Sequence, residues 1–174
     1  LDPFDTSPLE ITVEHMRGPV LRDVIVHHTQ RFDPIDRTVH RGIPVTTVPR
    51  TLVDLTDVLT AHQLANVIHE AAFRNRFSEP ATRGAMARAS GRQNLDVLEK
   101  ALELNAKGSA GTKSPHEDAF LALWGARRPE PLVNTQLAGF EVDFLWPESM
   151  LVVEIDGGGH GRPTAQRKDA LEDR

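Results

Sequence analysis

The sequence predicts an α+β chain in two parts, and three observations carry that reading. Short strand-like runs followed by amphipathic helices fill the first part. A small, polar stretch, Asn105–Lys113, has the composition of a linker. Beyond it, one helix precedes two adjacent strands that carry carboxylates on a shared face. The expected division is therefore 1–106, an α+β and helical region, and 107–174, a helix-and-sheet domain.

In chain order, Leu9–Val13, Val24–Gln30 and Pro44–Thr47 read as short strands. Arg50–Leu59, His62–Phe73 and Leu95–Leu104 read as helices. Leu64, Val67, Ile68 and Ala71 recur at helical spacing, as do Leu95, Leu98 and Leu102, and each set makes an apolar stripe. Pro49 suits a first helical turn, and Arg50 and Asp54 are spaced to pair one turn apart. His69 lies between core positions and is expected to be satisfied locally rather than to bind a ligand.

The segment from Ser114 to about Gly125 predicts the next helix. Ser114 is the N-cap, Pro115 the first helical residue and Glu117 the third. Glu117 has two readings at this stage. It completes a capping box with Ser114, and it also shares a face with Phe120, Leu121 and Trp124, the stripe that must meet a sheet. A carboxylate at the edge of a buried stripe calls for a partner.

Gly139–His160 then predicts two strands joined by the short turn Trp146-Pro147-Glu148-Ser149, an antiparallel hairpin. Strand side chains alternate, so Phe140, Val142, Phe144 and Trp146 share one face and Glu141, Asp143 and Leu145 the other. In the second strand Leu151, Val153 and Ile155 oppose Val152, Glu154 and Asp156. If Asp143 stands opposite or diagonal to Glu154, their side chains lie within roughly 4.5–8 Å. Carboxylates that close repel unless a cation sits between them, and a divalent metal is the economical expectation. Solvated acidic residues on an exposed strand face are the alternative. Gly157-Gly158-Gly159 lacks the spacing of a phosphate-binding loop and is expected to permit a sharp turn.

Composition narrows the classes. At 174 residues the chain holds one medium domain or two small ones, and its hydrophobic content of 39% suffices for a core. No apolar run reaches the length of a membrane span, and the start has no secretory pattern. No cysteine is present, which excludes disulfides and cysteine zinc sites and suits a reducing cytoplasm. A formal net charge of -5 argues against a nucleic-acid coat protein. It leaves a nuclease open, since metal-site carboxylates inflate the acidic count. Arg127, Arg128, Arg162, Arg167 and Lys168 are candidate phosphate contacts. The chain opens on Leu1 and stops at Arg174 within an expected helix, as a piece of a longer protein would.

Helix Glu117, strand Asp143 and then Glu154-Ile155-Asp156, taken in order, resemble the PD-(D/E)xK nuclease superfamily. Within it, the chain is most similar to endonuclease-like domains related to very-short-patch-repair (Vsr-like) endonucleases. Ser114-Pro115-His116-Glu117, Val142-Asp143-Phe144, Trp146-Pro147, Val153 to Gly157, His160 and the later Asp169 carry the likeness, over about residues 114–174. The resemblance implies a restriction-endonuclease-like mixed sheet flanked by helices, continued past Arg174 by a glycine turn and a core strand. It implies Mg²⁺, with Mn²⁺ as a substitute, held by Asp143, Glu154 and Glu117. It also implies Asp156 and His160 in the catalytic set, the histidine as a candidate for proton transfer or phosphate contact. The superfamily's lysine is absent, because position 156 is Asp. Lys168 and His160 are the alternatives for its role.

Gly42 to Leu55, GIPVTTVPRTLVDL, resembles the central region of AbiEi-type antitoxin and transcriptional-regulator proteins. Relatives of that kind generally carry a winged helix at the N-terminus, which this sequence does not display. The first expectation is thus a Mg²⁺-dependent DNA endonuclease, with DNA as partner, no membrane and an oligomeric state left open. The second is a non-catalytic, antitoxin-like regulator in which the nuclease-like domain binds DNA or protein.

Overall fold

The computed structural model describes residues 9–14, 22–29, 32–89, 92–125 and 129–155. It divides into two compact units, Leu1–Thr47 and Val48–Arg174. In the first, strands β1 (Leu9–Glu14) and β2 (Val24–Thr29) pair in parallel, Leu9 against Val24. Strands β3 (Arg37–His40) and β4 (Ile43–Thr46) form an antiparallel hairpin. Its two-residue turn, Arg41-Gly42, has positive φ at both positions, 51° and 80°, the geometry that matches strand twist.

The second unit begins with four helices, α1 (Val48–Asp54), α2 (Ala61–Phe73), α3 (Glu79–Arg88) and α4 (Leu95–Ala106). Each start has a local cause. Thr60 and Gln63 make a reciprocal capping box for α2, and Ser78 caps α3 with Pro80 in its first turn. Leu52, Leu64, Ile68 and Leu98 are fully buried where the helices meet. The expected Arg50–Asp54 pair forms, with Arg50 Nε 3.0 Å from both carboxylate oxygens. The expected helix Arg50–Leu59 starts earlier and tightens into a 3₁₀ turn at Leu55–Asp57.

Helix α5 (Pro115–Trp124) packs on an antiparallel sheet ordered β5 (Leu132–Leu137), β6 (Phe140–Trp146), β7 (Leu151–Val153). Phe120, Leu121 and Trp124 surround a core of Val133, Phe144 and Trp146. Phe120 meets Phe144 in a tilted contact at 4.5 Å between ring centroids, and Trp124 meets Trp146 likewise at 4.8 Å.

Residues 105–113, expected as a domain boundary, lie inside the second unit. Ser109, Ala110 and Thr112 are buried. Ala110 N–H donates to the Val133 carbonyl at 2.9 Å, while Ser109 Oγ accepts from Val133 N–H at 3.1 Å. The small residues that suggest a linker here allow close packing. At Gly111, with φ +73°, an added Cβ would come within 2.0 Å of the His62 carbonyl oxygen.

Candidate functional site

The β6–β7 ladder pairs Phe144 with Val153, and the β5–β6 ladder pairs Val133 with Phe144 and Thr135 with Val142. By register Asn134 falls beside Asp143 within the β5–β6 ladder, at a pair the ladder skips, and extending the β6–β7 ladder one residue past Val153 adds Glu154 to that row. The regular pairing breaks along that row. Asn134 takes a left-handed backbone, φ 48°, and β7 ends at Val153. Instead of the ladder continuing, Ile155 N–H donates to Asp143 Oδ2 at 2.7 Å. Asp143 is half-buried and Glu154 exposed.

Glu117 reaches the row from α5. It is buried, 7% exposed, and its carboxylate accepts three hydrogen bonds. Ser114 Oγ donates to Oε1 at 2.8 Å, while Lys113 N–H at 2.8 Å and Asn134 Nδ2 at 2.5 Å donate to Oε2. Asn134 Nδ2 also donates to the Gly111 carbonyl at 2.9 Å. Ser114 Oγ caps α5 by accepting from Glu117 N–H at 3.2 Å, but the carboxylate takes Lys113 N–H in place of Ser114 N–H, so half of the expected capping box forms alongside the buried-carboxylate partnership. Its neighbour Asp118 accepts from Thr112 Oγ1 and from Gln63 Nε2, each at 2.8 Å, and so ties α5 to α2.

Two residues of this arrangement escaped the sequence reading. Asn134 sits mid-strand in LVNTQL, where asparagine is disfavoured; that misfit was the available signal. Lys113, taken for linker, places its ammonium 2.7 Å from Glu141, on the strand face that alternation assigns also to Asp143. Asp156, His160, Asp169, Arg127, Arg128, Arg162, Arg167 and Lys168 lie outside the described residues.

The donor chemistry can be tested against Mg²⁺. Facing carboxylates are hard oxygen ligands, and Mg²⁺ often takes one or two of them while keeping its remaining waters. Asp143 and Glu154 fit that pattern. Glu117, its oxygens already accepting from three donors, fits direct ligation less well. Among the described residues no group of three or more His, Cys, Asp or Glu side chains converges as a metal cage. A cleft of about 490 Å³, bordered by Lys107, Glu130, Pro131 and Glu148, does not include Asp143 or Glu154. No described helix is long and apolar enough to cross a membrane.

The chain is thus an α+β protein whose second unit packs a helix on a three-stranded sheet, with the buried Glu117 of the helix bonded to Asn134 of the sheet. A Haemophilus influenzae protein described as "Uncharacterized protein" is 33% identical to it over 85 residues, 45% of this chain and 68% of the relative. The chain belongs to the same family as that protein. No family model matches the sequence, and no solved structure matches it.

Proposed function

We propose that the chain carries a metal-dependent DNA endonuclease centre of PD-(D/E)xK, Vsr-like type, hydrolysing phosphodiester bonds. The observation that supports this reading is the end of the β6–β7 ladder, where regular pairing stops at Val153, Ile155 N–H turns to Asp143, and Glu154 is the next residue in register beside it. Mg²⁺ or Mn²⁺, when bound, would supply Lewis acidity and an activated water. Asp143 and Glu154 would hold the ion, with Ile155 N–H donating to Asp143 Oδ2 from the adjacent strand end. Asp156 and His160 complete the proposed set on sequence grounds alone. Glu117 is assigned to supporting the site through Asn134. A regulator that only binds DNA or protein is the second reading, favoured by the commitment of Glu117 to three donors.

The test is cleavage of plasmid, linear, mismatched and single-stranded DNA with Mg²⁺, Mn²⁺ or EDTA. Asp143→Asn keeps an oxygen to accept from Ile155 N–H while removing the charge. The expected result is metal-dependent cutting that falls by roughly 100-fold or more in the variant, the scale of losing one group that stabilises transition-state charge. A folded, metal-supplied protein that cuts none of these substrates would transfer the assignment to the regulator.

A further inference from the structure

Carboxylates such as Asp143 and Glu154 repel a phosphodiester, so a site built on them gains from a fixed cation aimed at the phosphate oxygens. The loop before α5 carries one. Lys113 Nζ rests 2.7 Å from Glu141 Oε1, with both side chains about one-third exposed, 34% and 38%. Glu141 and Asp143 are two residues apart on β6, about 7 Å along one face. The ammonium therefore needs only to leave one exposed carboxylate, a weak surface partner, to reach a phosphate lying over Asp143.

The backbone beneath this lysine is fixed with unusual care. Lys113 N–H donates to the buried Glu117, which Asn134 and Ser114 also clamp. The preceding Thr112 is buried and donates to Asp118. A capped helix start alone would require only the Ser114–Glu117 reciprocity. The additional bonds hold the main chain of the lysine against β5.

We propose that Lys113 is the phosphate-contacting cation of this site, and that Glu117 is its positioning residue rather than a metal ligand. The assignment rests on the DNA-directed reading of the Asp143–Glu154 row. It gives the missing lysine of position 156 a replacement from a different element.

The experiment measures binding of a labelled DNA duplex to the full chain by fluorescence anisotropy across a salt series. Ca²⁺ is supplied so that binding is read without turnover. Mn²⁺ affinity, thermal melting and cleavage in Mg²⁺ are measured in parallel. Lys113→Gln is expected to keep its fold and its Mn²⁺ affinity. Its DNA affinity should fall about tenfold, and the slope of log affinity against log salt should shrink by about one, the signature of one lost phosphate contact. Lys113→Arg should retain the slope, and Lys107→Gln, at an exposed lysine elsewhere, should match the wild type. Glu117→Gln should weaken DNA binding with Mn²⁺ affinity intact.

Wild-type affinity and slope in Lys113→Gln would overturn the assignment, as would a wild type that binds no duplex. Loss of Mn²⁺ binding in a folded Glu117→Gln would make Glu117 a ligand and remove its positioning role. A wild type that binds DNA with a Lys113-dependent slope yet cuts nothing would uphold Lys113 and defeat the nuclease reading alone.

Discussion

The second unit contains two neighbouring regions built on opposite principles. The α1–α4 cluster is held by aliphatic side chains, with Leu52, Val53, Leu64, Ile68 and Leu98 fully buried. The layer of α5 on β5–β7 has an aromatic core, but beside it Ser109, Thr112, Glu117, Asn134 and Thr135 are also buried. Burying polar groups stabilises a fold only when every one is satisfied, so the second arrangement is costly to build and sensitive to change. The contrast teaches where to look: the helical cluster has the character of scaffold, and the polar network ends at the row containing Asp143.

The sharpest way to break the contrast is Gly111→Ala. This residue joins the regions, with positive φ and with its Cβ position blocked by the His62 carbonyl at 2.0 Å and the Asn66 amide at 2.6 Å. Both blocking atoms are backbone, so α2 and the loop must separate. A loss of about 4 kcal/mol or more is expected. It would appear in thermal melting as a fall of about 10 °C or failure to fold, for a chain of this size.

Asn134→Ala removes two hydrogen bonds and leaves a left-handed alanine, with Glu117 deprived of one donor. The expected loss is about 2–4 kcal/mol in chemical denaturation. Asn134→Gly relieves the backbone strain and should recover part of it. If both variants melt like the wild type, the network does not hold the layer together.

The smallest effect is a pH dependence at the seam. Burial holds the His62 imidazole below its usual 6.5, and the opposing pull of Glu130 is the smaller influence. Its Nε2 lies 3.5 Å from Glu130, Nδ1 has no hydrogen-bond partner among the described residues, and Lys100 and Asp118 act on it at longer range. The folded chain therefore resists a proton that the unfolded chain accepts near 6.5. Stability from this source is present above 6.5 and is lost as pH falls below it toward the lowered folded value. His62→Gln should flatten the decline in melting temperature between pH 7 and 5.5 relative to the wild type; an unchanged decline would show that His62 is not its source.

Much of the layer's framework was legible in the sequence because its signals are local. Ser114-Pro115-x-Glu117 announces the start of α5, and Phe120, Leu121 and Trp124 announce its buried face. Alternation in FEVDFLW separates Phe144 and Trp146 from Asp143. The α2 and α4 stripes were legible for the same reason. By contrast, β3 is exposed throughout, so no alternation marks it, and of its turn residues only Gly42 is a turn signal, beside an arginine at φ 51°. Helix α3 buries only Thr82 and Ala85, too little for an apolar stripe. The composition of 105–113 does not separate a linker from a packed segment, because small residues serve flexible linkers and tight packing equally well. Lys113 and Asn134 gained meaning only from partners far along the chain, Glu141 and Glu117.

The central claim is that Asp143 and Glu154, supported by Glu117, form a metal-dependent centre. The most direct test is Mn²⁺ binding to the full chain, followed by titration calorimetry and electron paramagnetic resonance, with Asp143→Asn, Glu154→Gln and Glu117→Gln alongside. The account predicts binding by the wild type, loss of about tenfold or more in affinity for either strand variant, and retention in Glu117→Gln. A folded wild type that binds no Mn²⁺, or binding unchanged in both Asp143→Asn and Glu154→Gln, would contradict it.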